Sequence, residues 1–318
     1  LTSSTHLMYP SPLSRPERIK NLGYDFAQQP KERIRRCNLS GASDFITITH
    51  VDRYGYPARA DLCRTSGLVF LNPVMTQDAY TEFYKHTYRP LVSAFHNRLI
   101  DARTIQDEQR GYAAEVIEFV APEFQGKPMR NLLDIGGSTG IVADEFVKAF
   151  GCKATVVDPA PDELVFAGEM GMQAIPGFIE NVNLEKGAYD FVMICQSIDH
   201  LLDVDLAIKR MRDAMTDDGV FFIDIVDFRA AYLRNQRIED AVKIDHPYYF
   251  TRQTIEAYLR KHGLRVERVN FAADHLHVGF LCRKCEPKED FLPETAWIES
   301  FIDEIRQIQN APLSLRHG

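Results

Sequence analysis

Between residues 131 and 226, short apolar runs alternate with amphipathic stretches. The runs at 131–135, 154–158, 173–175, 189–195 and 220–226 read as strands, and the stretches at 141–150, 162–169 and 204–215 read as helices. The first, fourth and fifth runs are almost continuously apolar, as parallel strands covered on both faces must be. Strand and helix in alternation predict a doubly wound α/β sheet. A helix is expected over 251–262, then two more strands at 264–271 and 277–282, close enough together to pair antiparallel and bring the sheet to seven strands. A last helix carries Trp297, Ile298, Phe301, Ile302, Ile305 and Ile308 on one stripe.

The pattern before residue 130 differs. Phe45-Ile-Thr-Ile-Thr49 has β-branched character, 52–57 is turn-like, and 60–63 and 68–71 read as further short strands, a small β module. Tyr80, Phe83, Tyr84 and Tyr88 then recur at helical spacing, and a second helix is expected to run to about Val120. The organisation that follows is an irregular arm at 1–35 with Pro10, Pro12, Pro16 and Pro30, the module at 36–76, a helical cap at 77–128, the α/β domain at 129–285 and a C-terminal helical segment at 286–318.

Of 318 residues, 37 are Lys or Arg and 45 are Asp or Glu, a net charge of −8. That balance argues against a nucleic-acid partner, which needs a basic surface. No apolar run approaches the length of a membrane span, and residues 1–13 lack the pattern of a secretory signal. Six cysteines are too sparse for a disulfide scaffold, so a cytoplasmic setting is expected.

The most informative stretch is Asp134-Ile-Gly136-Gly137-Ser138-Thr-Gly140, where an apolar strand ends in an acid, a glycine-rich turn follows and a helix begins. Open α/β sheets bind ligands at this edge. The glycine spacing fits neither the dinucleotide fingerprint nor a P-loop. An acid ahead of the glycines suits an ammonium group and would repel a pyrophosphate. A second acid, Asp158, ends the next strand and could accept hydrogen bonds from ribose hydroxyls.

Together these residues resemble the first motif of class I S-adenosylmethionine-dependent methyltransferases, with Ser138 where the family has a glycine. The resemblance implies a Rossmann-like domain whose cofactor is held by Asp134, Gly136, Gly137, Ser138, Gly140, Asp158 and Pro159. It also implies packing of the base against Phe178 and Ile179, and Cys195 and Gln196 at the floor of the site. Cys37-x2-Ser40-Gly and Cys63-x2-Ser66-Gly resemble the two knuckles of the zinc ribbon that some family members, sugar methyltransferases among them, carry ahead of this domain. Serine replaces the second cysteine of each knuckle, so the shape is expected without a metal. A lone Cys282-x2-Cys285 reads as two unrelated thiols.

For the acceptor, the resemblance points to loops after the fourth and fifth strands. His246, with Asp245 beside it as orienter or charge partner, is the first choice for a base; His200, beside Asp199, is a second. Tyr248 and Tyr249 are candidate walls of an acceptor pocket, and Tyr84 and Tyr88 are candidates to face the cofactor. The expectation is methyl transfer to a small-molecule acceptor, a nucleotide-linked sugar by family resemblance. Another small-molecule acceptor and an inactive, methyltransferase-like scaffold remain alternatives. A nucleotide-sugar oxidoreductase or epimerase is disfavoured, since the α/β region has no Tyr-x3-Lys.

Overall fold

A computed structural model describes residues 8–311; the first residues of the expected arm (1–7) and the end of the C-terminal segment (312–318) lie outside them. The arm is less irregular than its prolines suggest. It holds a short helix, α1 (Arg15–Lys20), because Pro16 sits in the first turn and the Ser14 N–H donates to the Glu17 carboxylate at 2.9 Å. A two-residue strand, β1 (Lys31–Glu32), leads into the module. There β2 (Phe45–Thr49), β3 (Ala60–Cys63) and β4 (Val69–Leu71) form an antiparallel meander. β5 (Val74–Met75) turns back to pair with β1.

The cap contains three helices where two were expected: α2 (Gln77–His86), α3 (Tyr88–His96) and α4 (Gln106–Val120). Thr87 breaks the expected Tyr80–Tyr88 stripe between α2 and α3, and Asn97, in a left-handed conformation (φ 57°), stops α3.

The remaining elements are β6 (Asn131–Ile135), α5 (Ile141–Phe150), β7 (Lys153–Asp158), α6 (Pro161–Glu169), β8 (Gln173–Pro176), β9 (Tyr189–Ile194), α7 (Val204–Ala214), β10 (Met215–Val226), α8 (Phe228–Asn235), β11 (Tyr248–Tyr249), α9 (Arg252–Lys261), β12 (Leu264–Phe271), β13 (His277–Lys284) and α10 (Thr295–Asn310). Seven strands form one sheet in the order β12-β13-β10-β9-β6-β7-β8. The five strands from β10 to β8 are parallel, and β13 runs antiparallel to both β10 and β12. β10 starts at Met215, earlier than the apolar run suggests, through an irregularity between Met215 and Val220. Leu132, Leu133, Val156, Phe191, Val192, Met193 and Phe221 are buried with essentially no exposure, as the apolar runs require.

The module does not stand apart. β11, from beyond the fifth parallel strand, pairs antiparallel with β4 and completes a four-stranded sheet, β11-β4-β3-β2. Cys37, Leu39, Cys63, Leu68 and Phe70 share one apolar cluster with Leu133, Ile194 and Phe250. The stripe on α10 packs against the other face of the module, with Ile298, Phe301, Ile302, Ile305 and Ile308 in a cluster with Ile48, Leu62 and Val69. Among the described residues no helix is long and apolar enough to cross a membrane.

Candidate active site

The parallel strands open at their carboxyl ends onto a cavity of about 450 Å³. Its floor is the turn between β6 and α5. Gly136 has φ 70° and donates its N–H to the Val157 carbonyl at 2.7 Å; a side chain there would start 2.6 Å from Ser197 Cβ. At Gly137 a Cβ would lie 2.4 Å from Asp134 Oδ2. The backbone at these two residues must therefore be bare. Ser138 adopts φ 53°, the left-handed conformation the glycine of the resemblance would take, and its hydroxyl donates to the Glu163 carboxylate. Gly140 also has positive φ (79°), but it turns toward Ala167 and Met172 and is not part of the cavity wall.

Asp134 is fully buried beneath this turn, and neither carboxylate oxygen has a hydrogen-bond partner in the protein. Burial, with the Asp158 charge adding, pushes its carboxyl up to about 8. Asp158 accepts from the N–H of Ser138 (2.8 Å, to Oδ2) and of Ala160 (2.8 Å, to Oδ1), so it ties the glycine turn to the start of α6. Burial raises it to about 6 against those two hydrogen bonds.

Pro159, Phe178, Ile179, Cys195 and Gln196 line the same cavity, and so do Tyr84, Tyr88 and His200. Burial pushes the Cys195 thiol up, which makes it unreactive. Several further wall residues escaped the sequence reading, Arg89, Glu163, Gln109 and Tyr112 among them. Arg89 on α3 grips Glu163 on α6 through two contacts of 3.1 and 3.0 Å. Gln109 and Tyr112 on α4 close one side; the Tyr112 hydroxyl donates to Asp224 on β10 at 2.8 Å, and the Gln196 N–H donates to the same carboxylate at 2.6 Å. The only sequence signal for them was their place on amphipathic helices, which does not separate a wall from a core.

The candidate bases converge, although they come from distant segments. His200 Nδ1 lies 2.7 Å from the Tyr84 hydroxyl and 3.1 Å from the Asp245 carbonyl, and the Tyr84 hydroxyl donates to that carbonyl at 2.9 Å. All three groups are satisfied when Nδ1 carries the proton and donates to Tyr84, leaving Nε2 as the free lone pair. The His200 and His246 rings are 4.6 Å apart, edge to face. His246 is not in the wall of the first cavity; it lines a second one of about 270 Å³, together with Asp199, Arg53, Lys243, Tyr248 and Tyr249. Its closest carboxylate is not the adjacent Asp245, at 3.3 Å from Nε2, but Asp199, 2.8 Å from Nδ1. Burial holds the His246 imidazole below its ordinary value despite the pull of Asp199. For Asp199 burial works upward, but His246 and His200 prevail and hold its carboxyl well below the usual range.

One ligand atom each from Asp199, His200 and His246 lies within 4.8 Å of the others, a spacing a metal ion also accepts. However, the 2.8 Å Nδ1–Oδ2 contact is that of an imidazole–carboxylate hydrogen bond. The Lys243 ammonium, 3.5 Å from His246 Nε2, disfavours a second cation. The two knuckle-like segments also meet. Cys37 Sγ is 3.2 Å from Ser66 Oγ, and Ser40 Oγ is 3.5 Å from Cys63 Sγ. The turns match: Gly41 and Gly67 (φ 72° and 71°) each donate to the carbonyl of their cysteine at 2.8 Å.

Comparison with known proteins adds a family. No curated protein matches the chain. Among solved structures, an S-adenosylmethionine-dependent methyltransferase from Clostridium acetobutylicum is similar at 16% identity and a TM-score of 0.46, over 65% of this chain and 99% of that one. Magnesium protoporphyrin IX methyltransferase from Synechocystis, with bound S-adenosylhomocysteine, is similar at 12% identity and a TM-score of 0.46, over 55% and 83%. A Pyrococcus horikoshii protein is similar at 17% identity and a TM-score of 0.45, over 54% and 90%. The assignment rests on the family model for a methyltransferase domain, which matches residues 105–269, more than half of the 318 residues. On that match the chain belongs to the methyltransferase-domain family and is a methyltransferase whose cofactor is S-adenosylmethionine.

Proposed function

We propose that this chain methylates a small-molecule acceptor, a nucleotide-linked sugar, which lies between the two cavities. The observation that carries the reading is the wall they share: the turn at 197–201 contributes Ser197, His200 and Leu201 to one cavity and Asp199 to the other. The sugar rests on the resemblance of the knuckle-like segments to sugar methyltransferases with a zinc ribbon; the matching turns around Cys37 and Cys63 support that likeness.

The first cavity suits the cofactor in two respects. The unpartnered, buried Asp134 carboxylate is the counter-charge an ammonium group needs, and the bare backbone at Gly136 and Gly137 permits close approach. Asp134 with Gly136, Gly137 and Ser138 would hold the amino-acid end. Asp158 and Pro159 would face the ribose, with Phe178 and Ile179 against the base and Cys195 and Gln196 below. Gly140 would act from behind, letting α5 and α6 pack closely. The cofactor supplies an activated methyl group on a sulfonium.

The chain itself orients the acceptor and takes its proton. His200 Nε2 is the acceptor of that proton in this reading. Tyr84 fixes the ring by receiving the Nδ1 proton, and Asp199, 3.8 Å from Nε2, stabilises the imidazolium that forms. His246 and Asp245 act behind this pair: His246 holds Asp199 ionised, and the Asp245 carbonyl anchors both Tyr84 and His200. Tyr88 packs edge-on to His200 with centroids 6.0 Å apart and keeps water from it. Calorimetric titration with S-adenosylhomocysteine, with NAD as control, is the first test. Binding of the former alone is expected; binding of NAD instead would overturn the site. A panel of nucleotide-linked sugars with methyl-labelled cofactor tests the acceptor, and His200→Gln should lower turnover about 100-fold or more while leaving S-adenosylhomocysteine affinity intact.

A further inference from the structure

We propose that the second cavity binds an oxyanion, a carboxylate or phosphate carried by the methyl acceptor, with Lys243 and Arg53 as its counter-charges. The inference rests on the methyltransferase reading and names the chemistry of its acceptor. Three cationic side chains, Arg53, Lys243 and Arg234, line this cavity. They come from three separate elements: the turn between β2 and β3, the segment before β11, and α8.

No carboxylate among the described residues lies within ion-pair distance of any of the three, and most of those nearby are engaged elsewhere. Asp199 pairs with His246 at 2.8 Å, Asp240 with Arg237 at 3.8 Å and with the Asn235 amide at 3.0 Å, and Asp274 with His277 at 2.6 Å. Asp245 is the exception: it lies 3.3 Å from His246 Nε2, and its buried Oδ1 has no hydrogen-bond partner. Arg234 donates to the Asp274 carbonyl at 2.5 Å. The Arg53 Nε is buried with no hydrogen-bond partner, and its guanidinium carbon lies over the Phe95 ring, 3.9 Å from the centroid.

Lys243 is held in place through its backbone. The Tyr249 hydroxyl accepts from its N–H at 3.0 Å and donates to its carbonyl at 2.7 Å, so the side chain starts from a fixed point. Its ammonium lies 3.5 Å from His246 Nε2 and makes no ion pair, although the charges of Asp245 and Asp199 act on it from further off. Lys243 and Arg53 repel one another, and neither is in an ion pair with a carboxylate, so an anion joining the two is favoured. A ligand oxyanion supplies both counter-charge and hydrogen-bond acceptors. The apolar part of the wall, Val226, Phe228 and Leu276, leaves a non-polar surface for the rest of the molecule.

The test uses the full chain saturated with S-adenosylhomocysteine, titrated at constant ionic strength with inorganic phosphate and with acetate; acetamide and chloride serve as controls. Calorimetry and thermal shift should detect binding of at least one oxyanion and of neither control. Phosphate alone points to a phosphorylated acceptor, acetate alone to a carboxylated one. Lys243→Gln and Arg53→Gln should each weaken the oxyanion about tenfold or more, with S-adenosylhomocysteine affinity unchanged. Should Lys243→Gln fail to fold, the half-buried Arg53 variant and the acetate–acetamide contrast in the wild type still decide. Binding of neither oxyanion, or equal binding in both variants, overturns the proposal. Loss of S-adenosylhomocysteine binding by the wild type would instead overturn the methyltransferase reading beneath it.

Discussion

Replacing Asp134 by Asn should make the ligand-free protein more stable and the cofactor bind more weakly. The carboxyl is fully buried, has no partner, and sits at about 8 against an ordinary 3.8. At about 1.36 kcal/mol per pH unit, that difference of about 4 corresponds to roughly 6 kcal/mol of folding free energy. Because the folded-state value lies above the unfolded one, the favourable contribution is complete below about pH 4 and is lost as the pH rises through about 8. Asn carries no charge to desolvate, but it leaves a buried amide unpaired at about 1–3 kcal/mol. At pH 8 the variant should therefore exceed the wild type by roughly 3–5 kcal/mol, and at pH 5 the two should be nearly equal. Urea denaturation at both pH values, followed by circular dichroism, measures the difference. The same variant should bind S-adenosylhomocysteine at least about tenfold more weakly, since an ion pair in a dry site is lost. A variant less stable than wild type at pH 8, or one whose stability varies with pH as the wild type's does, would refute the account of Asp134 as an uncompensated buried charge.

Asp158→Ala should weaken cofactor binding by about 1–3 kcal/mol in calorimetry; the loss includes a loosened glycine turn, because the Ser138 N–H loses its acceptor. Metal analysis of the purified protein should find well under one zinc per chain, since Ser40 and Ser66 are poor substitutes for thiolates; stoichiometric zinc would contradict this. Gly67→Ala should destabilise by about 2–4 kcal/mol in denaturant titration, because φ is 71° and the new methyl would start 2.7 Å from the Trp297 ring.

Features encoded locally were the ones the sequence revealed. The apolar runs at 131–135, 189–195 and 220–226 announced the parallel core because burial on both faces leaves no room for polar positions. The glycine turn was legible because close approach and positive φ restrict the residue type. The Ser14–Glu17 cap of α1 was also local, but the surrounding prolines obscured it. Contacts between distant segments were not legible. Asp199 and His246 are 47 residues apart, and chain adjacency made Asp245 the natural partner for His246, whereas the fold supplies Asp199. Arg89–Glu163 and Tyr112–Asp224 were invisible for the same reason: an ion pair between two helices, or a hydroxyl on a helix meeting a strand, leaves no period in either segment.

The pairing of β11 with β4 has a consequence for the order in which the molecule is made. Val69 meets Tyr249, a partner 180 residues further along the chain. As the polypeptide emerges from the ribosome, the meander is synthesised before the methyltransferase sheet, and its β4 edge stays uncovered until all five parallel strands of that sheet have been delivered. Contacts this distant close slowly, and an uncovered strand edge invites pairing with another chain. The meander is thus made well before the strand that closes its edge. A chain ended before residue 248 would present that edge permanently, so truncations meant to isolate the N-terminal module should self-associate, whereas the full chain closes the edge on itself.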